Sequence, residues 1–268
     1  MNNLYRELAP ISEAAWAQIE EETTRTIKRY LAGRRVVDVN GPAGNALSAI
    51  GTGHQRAIAA PGDGVTAQQR EVKSVVELRV PFELERQMID DVERGADDSD
   101  WQPAKEAARK LAFAEDRAIF EGYDAAGIVG VRQGTSNPKK PLPADVRQYP
   151  EAFAQALSQL RLVGVNGPYS ILLSADAYTQ LAETSDNGYP VLEHVKRLVE
   201  GKIIWAPAID GAFIVTTRGG DFDFHLGQDA SIGYLTHSET HVRLYLQETF
   251  TFLYLTSEAA VALDPPSK

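Results

Sequence analysis

Residues 203–263 constrain the fold more than any other part of the chain, because they read as strand after strand with little room for a helix. Apolar and β-branched runs predict strands over 203–208, 212–217, 222–226, 232–235, 242–248 and 249–255, divided by turn residues. Asp210-Gly211 predicts a tight hairpin between the first two, since glycine accepts the positive φ of a primed turn, and Gly219-Gly220 closes the second. Val242, Leu244 and Leu246 alternate with Arg243, Tyr245 and Gln247, and Phe250, Phe252 and Tyr254 alternate with Thr249, Thr251 and Leu253. A period of two predicts an antiparallel sheet covered on one face. No catalytic constellation is written on this frame.

A chain of 268 residues can bury a sizeable core, and 43% hydrophobic with 24% charged residues is ordinary for a globular protein. The net charge of -10 argues against a general nucleic-acid partner, which needs a basic footprint. With no cysteine, disulfides, thiolate metal sites and cysteine nucleophiles are excluded, which fits a reducing cytoplasm. The segment MNNLYRELAPISEAAW lacks a basic start and an apolar run, so no secretory signal is expected. No window reaches the roughly eighteen apolar residues of a membrane span. A cytoplasmic protein without a membrane partner is the expectation.

Taken in order, a short arm with Leu4, Tyr5 and Leu8 precedes a helix capped by Ser12. Trp16, Ile19, Thr23, Ile27, Tyr30 and Leu31 form its apolar stripe, and Gly33 is its expected stop. This stripe suits either packing within its own domain or a groove for a partner peptide. A strand is expected at 36–39. Residues 45–75 follow, rich in Ala, Gly, Gln and Thr, with Gly62-Asp63-Gly64 at their centre. So long a stretch with so little core material predicts a two-stranded arm, either mobile or completed by another molecule. A strand over 75–82 ends at Pro81, a helix is expected over 82–95, and a longer helix runs from about Asp100 to Glu121. Helices starting at Pro150, at Ser174 and over 191–200 interleave with a strand at 169–173, so the fold class is α+β. The loop ETSDNGYP has no core residue except Tyr189.

The inventory of chemistry is thin. His237 and His241 have the spacing of a helical metal pair, yet their neighbours make the passage strand and loop, so no metal is expected. There is no G-x-S-x-G elbow, P-loop or G-x-G-x-x-G after a strand. Asp38, Asp176, Asp229 and Glu248 are acid–base candidates only as any carboxylate is. Neither an enzyme nor a cofactor is asked for.

The succession LYRELAP, AGRRVVDV, IDDVERG, AEDRAIFEG, NGPYSILLSADAY, IIWAPAIDGAFIVTTRGGDFDFHLGQDASIGY and LYLQETFTF resembles an encapsulin nanocompartment shell protein, family 1, of the actinobacterial linocin type, over nearly the whole chain. The resemblance implies the tailed-phage major capsid fold of the Hong Kong 97 type, with a P-domain, an A-domain and an extended E-loop. Residues 1–44 would be the arm, helix and first P-domain strand, 45–75 the E-loop, 76–130 the P-domain with its spine helix, 131–222 mainly the A-domain, and 223–268 the return to the P-domain and the tail. It implies that sixty copies in the smallest closed form make an icosahedral shell around a cargo enzyme. That cargo would be a dye-decolourising peroxidase or a ferritin-like protein, held by its C-terminal peptide, in a compartment for iron storage or oxidative stress.

Carried over residue by residue, the resemblance places the cargo peptide at Ile27, Tyr30, Leu31, Arg34, Asp38, Ile232 and Tyr234, with Arg34 and Asp38 as polar fixers. It places Thr184, Ser185, Asp186, Asn187, Gly188 and Tyr189 around a fivefold pore. Asn187 stands where close relatives often carry histidine, so gating by such a histidine is in doubt. Gln87 stands where some members stack a flavin on an aromatic ring, so no flavin is expected. The polar 264–268 tail would lie outside and tolerate fusion. A prophage major capsid protein shares the implied fold and is the alternative. A secreted bacteriocin or protease is disfavoured by the missing signal and nucleophile.

Overall fold

The computed structural model describes residues 3–266; the first two residues of the expected arm and the last two of the expected tail lie outside the described residues. Helix α1, Glu13–Tyr30, starts where the Ser12 hydroxyl accepts the Ala15 N–H, and it ends one turn before Gly33. A 3-10 turn, Gly33–Arg35, then delivers strand β1, Asp38–Asn40, two residues later than expected. Strands β2, Ala49–Ile58, and β3, Ala67–Ser74, form the arm, and β4, Val76–Glu85, follows. Helix α2, Arg86–Glu93, begins only after this strand, so Phe82 and Leu84 are strand rather than helix residues. Pro81 sits inside β4 opposite Tyr245, tolerated because β4 is an edge strand that pairs with one neighbour only. Helix α3, Gln102–Phe120, is the longest, and its Ala104, Ala107, Ala108 and Leu111 lie against α1 and the sheet.

The short α4, Val131–Gly134, and β5, Lys140–Pro141, lead into α5, Tyr149–Leu162, β6, Tyr169–Leu173, and α6, Ala175–Glu183. Strands β7, Ser185–Asp186, and β8, Tyr189–Pro190, are followed by α7, Val191–Lys196, shorter than expected, and by β9, Ile203–Trp205. The remaining strands are β10, Ala212–Thr216, β11, Phe222–Leu226, β12, Ser231–His237, β13, His241–Tyr254, and β14, Ala260–Asp264. Asp264 therefore belongs to a buried strand and not to a polar tail, and Arg132 holds its carboxylate at 2.6 Å.

These strands build two main sheets. In the first, β13 is one unbroken strand of 14 residues, where the sequence suggests two. Along one edge it pairs with β12 and then β11; along the other with β4; β1 adds in parallel to β11. Both faces of β13 are covered from Leu244 to Leu253, so the expectation of a half-exposed sheet does not hold. The second sheet runs β5-β14-β10-β6-β9, and its central β6 and β10 are wholly buried. Asp210-Gly211 is consequently no hairpin: the strands on its two sides, β9 and β10, flank β6 from opposite edges. The tight hairpin lies instead at Asn187-Gly188 between β7 and β8, both residues having positive φ, 47° and 83°. Three apolar clusters fill the molecule, one under the α1–α3 layer, one between the sheets, and one under α5, α6 and α7.

The arm stands apart from these cores. Among the described residues its β2 and β3 pair only with each other, and most of their residues are exposed, Val72 at 54% and Ile58 at 47% among them. The Val75 N–H closes its base on the Ser48 carbonyl at 2.9 Å, and Lys73 Nζ reaches the Gly127 carbonyl at 3.2 Å.

Candidate functional site

Helix α1 and the edge of the first sheet leave a groove of about 490 Å³ between them. The helical period puts Thr23, Ile27 and Leu31 on one stripe of α1 that lines this space. Ala230, Ser231 and Ile232 at the start of β12, with Leu246 of β13 beside them, form the facing wall. Leu4 closes one end, next to the ion pair between Arg6 and Glu20. Strand β12 ends the hydrogen-bonded order of its sheet, so one of its edges is open to the groove side. The Tyr234 N–H reaches the Leu4 carbonyl at 2.8 Å across that edge. Antiparallel alternation turns the main-chain N–H and C=O of Ile232, two residues earlier, to the same edge.

The other end of the groove is a charge node. Between β11 and β12 the chain loops out opposite Thr249, the Gly227 N–H and Gln228 carbonyl both bonding that residue, and Asp229 projects from the loop. Arg34, in the 3-10 turn after α1, meets it at 2.8 Å. The same guanidinium grips Glu115 of α3 with Nε to Oε1 at 2.9 Å and Nη2 to Oε2 at 2.7 Å, and also touches Glu248 of β13. Glu115 and Glu248 are almost wholly buried, their side chains 1% and 2% exposed, so Arg34 is their counter-ion. Burial works against the charge on Arg34, but the hydrogen bonds and charges of Glu115, then Glu248 and Asp229, outweigh it and raise its pKa. Burial first, and the adjacent Glu115 second, push Glu248 well above the usual carboxylate range. Beside them burial pushes Asp116 up to about 7, with Glu115 adding and the N–H groups of Gly33 and Ala32 opposing.

Of the residues expected to hold a cargo peptide, Ile27, Leu31, Arg34 and Ile232 line this one groove. Tyr30 does not; it points to the other flank of α1, its ring 5.6 Å from Phe113 and 5.5 Å from Trp205. Asp38 is remote from the groove as well, accepting the Gly220 N–H and lining a small cleft with Thr216 and Asp221. Tyr234 packs at the margin, its hydroxyl 2.5 Å from His237 Nδ1. The sequence reading left out Leu4, Ser231 and Leu246, which nothing in a linear pattern brings together.

Thr184, Ser185, Asp186, Asn187, Gly188 and Tyr189 form the Asn-Gly hairpin and its flanks, and the tip is exposed. Tyr189 accepts from Arg197 at 2.7 Å and its ring meets His194 edge-on. Gln87 lies in a charged cleft with Arg86, Asp90 and Arg94. His237 and His241 stand at the β12–β13 turn, and no group of His, Asp or Glu among the described residues could hold a metal ion. Nor is any helix of the described residues long and apolar enough to cross a membrane. The groove thus sets an apolar stripe beside a buried charge node.

A family model described as "Encapsulating protein for peroxidase" matches residues 1–251. The type 1 encapsulin shell protein of Rhodococcus erythropolis is 64% identical over 98% of this chain and 100% of its own length. Among solved structures, a virus-like particle from Pyrococcus furiosus covers 93% of this chain and 99% of its own, with a TM-score of 0.65 at 18% identity. The capsid of Myoviridae phage XM1 covers 87% of this chain and 90% of its own, with a TM-score of 0.54 at 12% identity. At such identities the structural likeness establishes the fold, the phage capsid fold, and no more. With the family model and the identity of the Rhodococcus relative, it means that this chain belongs to the encapsulin shell proteins.

Proposed function

We propose that copies of this chain close into an icosahedral nanocompartment in the cytoplasm and retain a cargo enzyme, a dye-decolourising peroxidase or a ferritin-like protein, by its C-terminal peptide. The observation that carries this reading is the groove: an apolar stripe from α1 facing an open strand edge. An extended peptide can add its main chain to the Ile232 edge beside Leu4 and set alternate side chains against Ile27 and Leu31, the strand-addition mode of recognition. The exposed arm supports the shell itself, because an isolated two-stranded ribbon is marginal in water and gains most by pairing with another copy. The Asn187-Gly188 hairpins would ring a fivefold pore that admits small substrates.

Two variants test the two halves. Ile27→Arg puts a charge in the groove; closed shells by electron microscopy that no longer co-purify a co-expressed peroxidase are expected. Cargo retained at the wild-type level would overturn the docking site. Replacing residues 52–71 by a direct short turn removes most of the two-stranded ribbon, and light scattering is expected to find small oligomers. Closed shells from that variant would remove the arm from assembly.

A further inference from the structure

The chain's net charge of -10 hides a basic band that starts at the rim of the groove, which Lys28 and Arg35 also line, and runs over the other flank of α1. Two adjoining clefts share Arg25 and Arg29; one adds Lys28, Arg35 and Trp205, the other Tyr30, Lys105 and Arg109. Six cations thus meet two carboxylates, Glu22 and Glu106. Glu22 is taken by Arg25 at 2.5 Å and Lys105 at 3.3 Å, and Glu106 by Gln102 at 3.3 Å. Among the described residues no carboxylate forms an ion pair with Lys28, Arg29, Arg35 or Arg109, and all four are exposed. The helix dipole accounts for Lys28 and Arg29 in the last turn of α1, but not for cations that converge from α3 and from beyond the helix.

Aromatic rings hold some of these charges in place. Arg29 lies 5.4 Å over the Trp205 ring and Arg109 lies 5.9 Å from Phe113, while Tyr30 ties the two rings together. A guanidinium already set against a ring loses little freedom on meeting a phosphate. A protein partner would want an apolar centre to its interface, yet none of the exposed large hydrophobic residues lies in the band. We infer that the Arg25–Lys28–Arg29–Arg35 band, with Lys105 and Arg109, binds the phosphodiester backbone of single-stranded nucleic acid without regard to sequence. The band meets the groove at Lys28 and Arg35 and extends away from it through Arg25, Arg29, Lys105 and Arg109, and the net negative charge of the chain as a whole does not describe it.

The probe is fluorescein-labelled oligouridine, added to the assembled full-length protein and, separately, during its assembly, so that either face of a shell is open to it. With four phosphates neutralised, the logarithm of the association constant should fall against the logarithm of salt with a slope of about -3, a loss of about fiftyfold between about 50 and 200 mM salt. Arg29→Gln with Arg35→Gln should cut that slope by roughly half, whereas Arg147→Gln, on the exposed Asp145 pair elsewhere, leaves it unchanged. Binding that ignores salt, or that survives the double substitution intact, overturns the site. Equal affinity for polyglutamate of matched charge also overturns it, in favour of an acidic protein surface.

Discussion

Replacing Asp116 by asparagine should change how the stability of this protein depends on pH. Asp116 is wholly buried on α3, and its two oxygens accept the Gly33 and Ala32 N–H groups at 2.8 Å, just past the end of α1. Burial raises its carboxyl from 3.8 to about 7. A carboxyl whose folded value lies above its unfolded value favours the folded state while protonated, and that contribution is lost as pH rises through the folded value. A displacement of about 3 pH units corresponds to about 4 kcal/mol, withdrawn between about pH 4 and pH 7.5. Asp116→Asn keeps the shape and abolishes the titration, at a cost independent of pH because its amide nitrogen cannot accept one of the two backbone N–H groups. Melting temperatures of the wild type and the variant, measured side by side at closely spaced pH values, should therefore separate across that window. The variant gains roughly 10 °C relative to the wild type from its acid to its alkaline end, and the two curves run parallel outside it. Other groups titrate in both proteins and largely cancel in the difference. Parallel curves throughout would refute the reasoning, since they would mean that Asp116 ionises as easily inside the fold as in water.

Arg34→Met leaves Glu115 and Glu248 buried without their cation and should cost about 3–5 kcal/mol in denaturant unfolding; an unchanged midpoint would show that both acids are neutral without it. Gly233 sits under the Tyr245 ring, whose hydroxyl donates to the Asn3 carbonyl at 3.2 Å. Gly233→Ala should push the ring away and release the arm around Leu4, read as faster proteolysis there with the core unaffected.

Glu248 shows both how far the sequence was legible and why it stopped. Val242, Leu244, Leu246, Phe250, Phe252 and Tyr254 share one parity, so a single strand was written in the pattern all along. A carboxylate at the one even position between them reads as a break, and the strand is divided there. The structure keeps it continuous because Arg34, 214 residues away in sequence, reaches that carboxylate. What interrupts the pattern is half of the charge node at the end of the groove. The Ser12 cap, the α1 stripe and the two-stranded arm were readable because each is set by neighbours in sequence. The groove's far wall was not, since it depends on where a loop opposite Thr249 places Ala230 and Ser231. Turn chemistry misled for the same reason. Asp210-Gly211 and Asn187-Gly188 carry equal local signals, and only sheet order decides which closes a hairpin.

The distribution of burial also argues for how such a subunit avoids associating too early. Strands β6, β10 and most of β13 are finished within the subunit, their faces covered and their apolar residues out of reach. The arm left outside is mainly polar: β3 reads AQQREVKS, and Arg56 of β2 bonds Gln69 across the pair at 2.7 Å. A ribbon of that composition gains little from apolar burial and much from main-chain pairing, which is directional and modest per bond. Nonspecific sticking is therefore weak, while a correctly registered neighbour satisfies many bonds at once. An apolar arm would hold neighbours more tightly but would also hold them wrongly. Closure of a capsid-like shell needs errors to be reversible, and if the arm pairs with a neighbour as proposed, the poverty of core residues in 45–75 would keep wrong contacts weak.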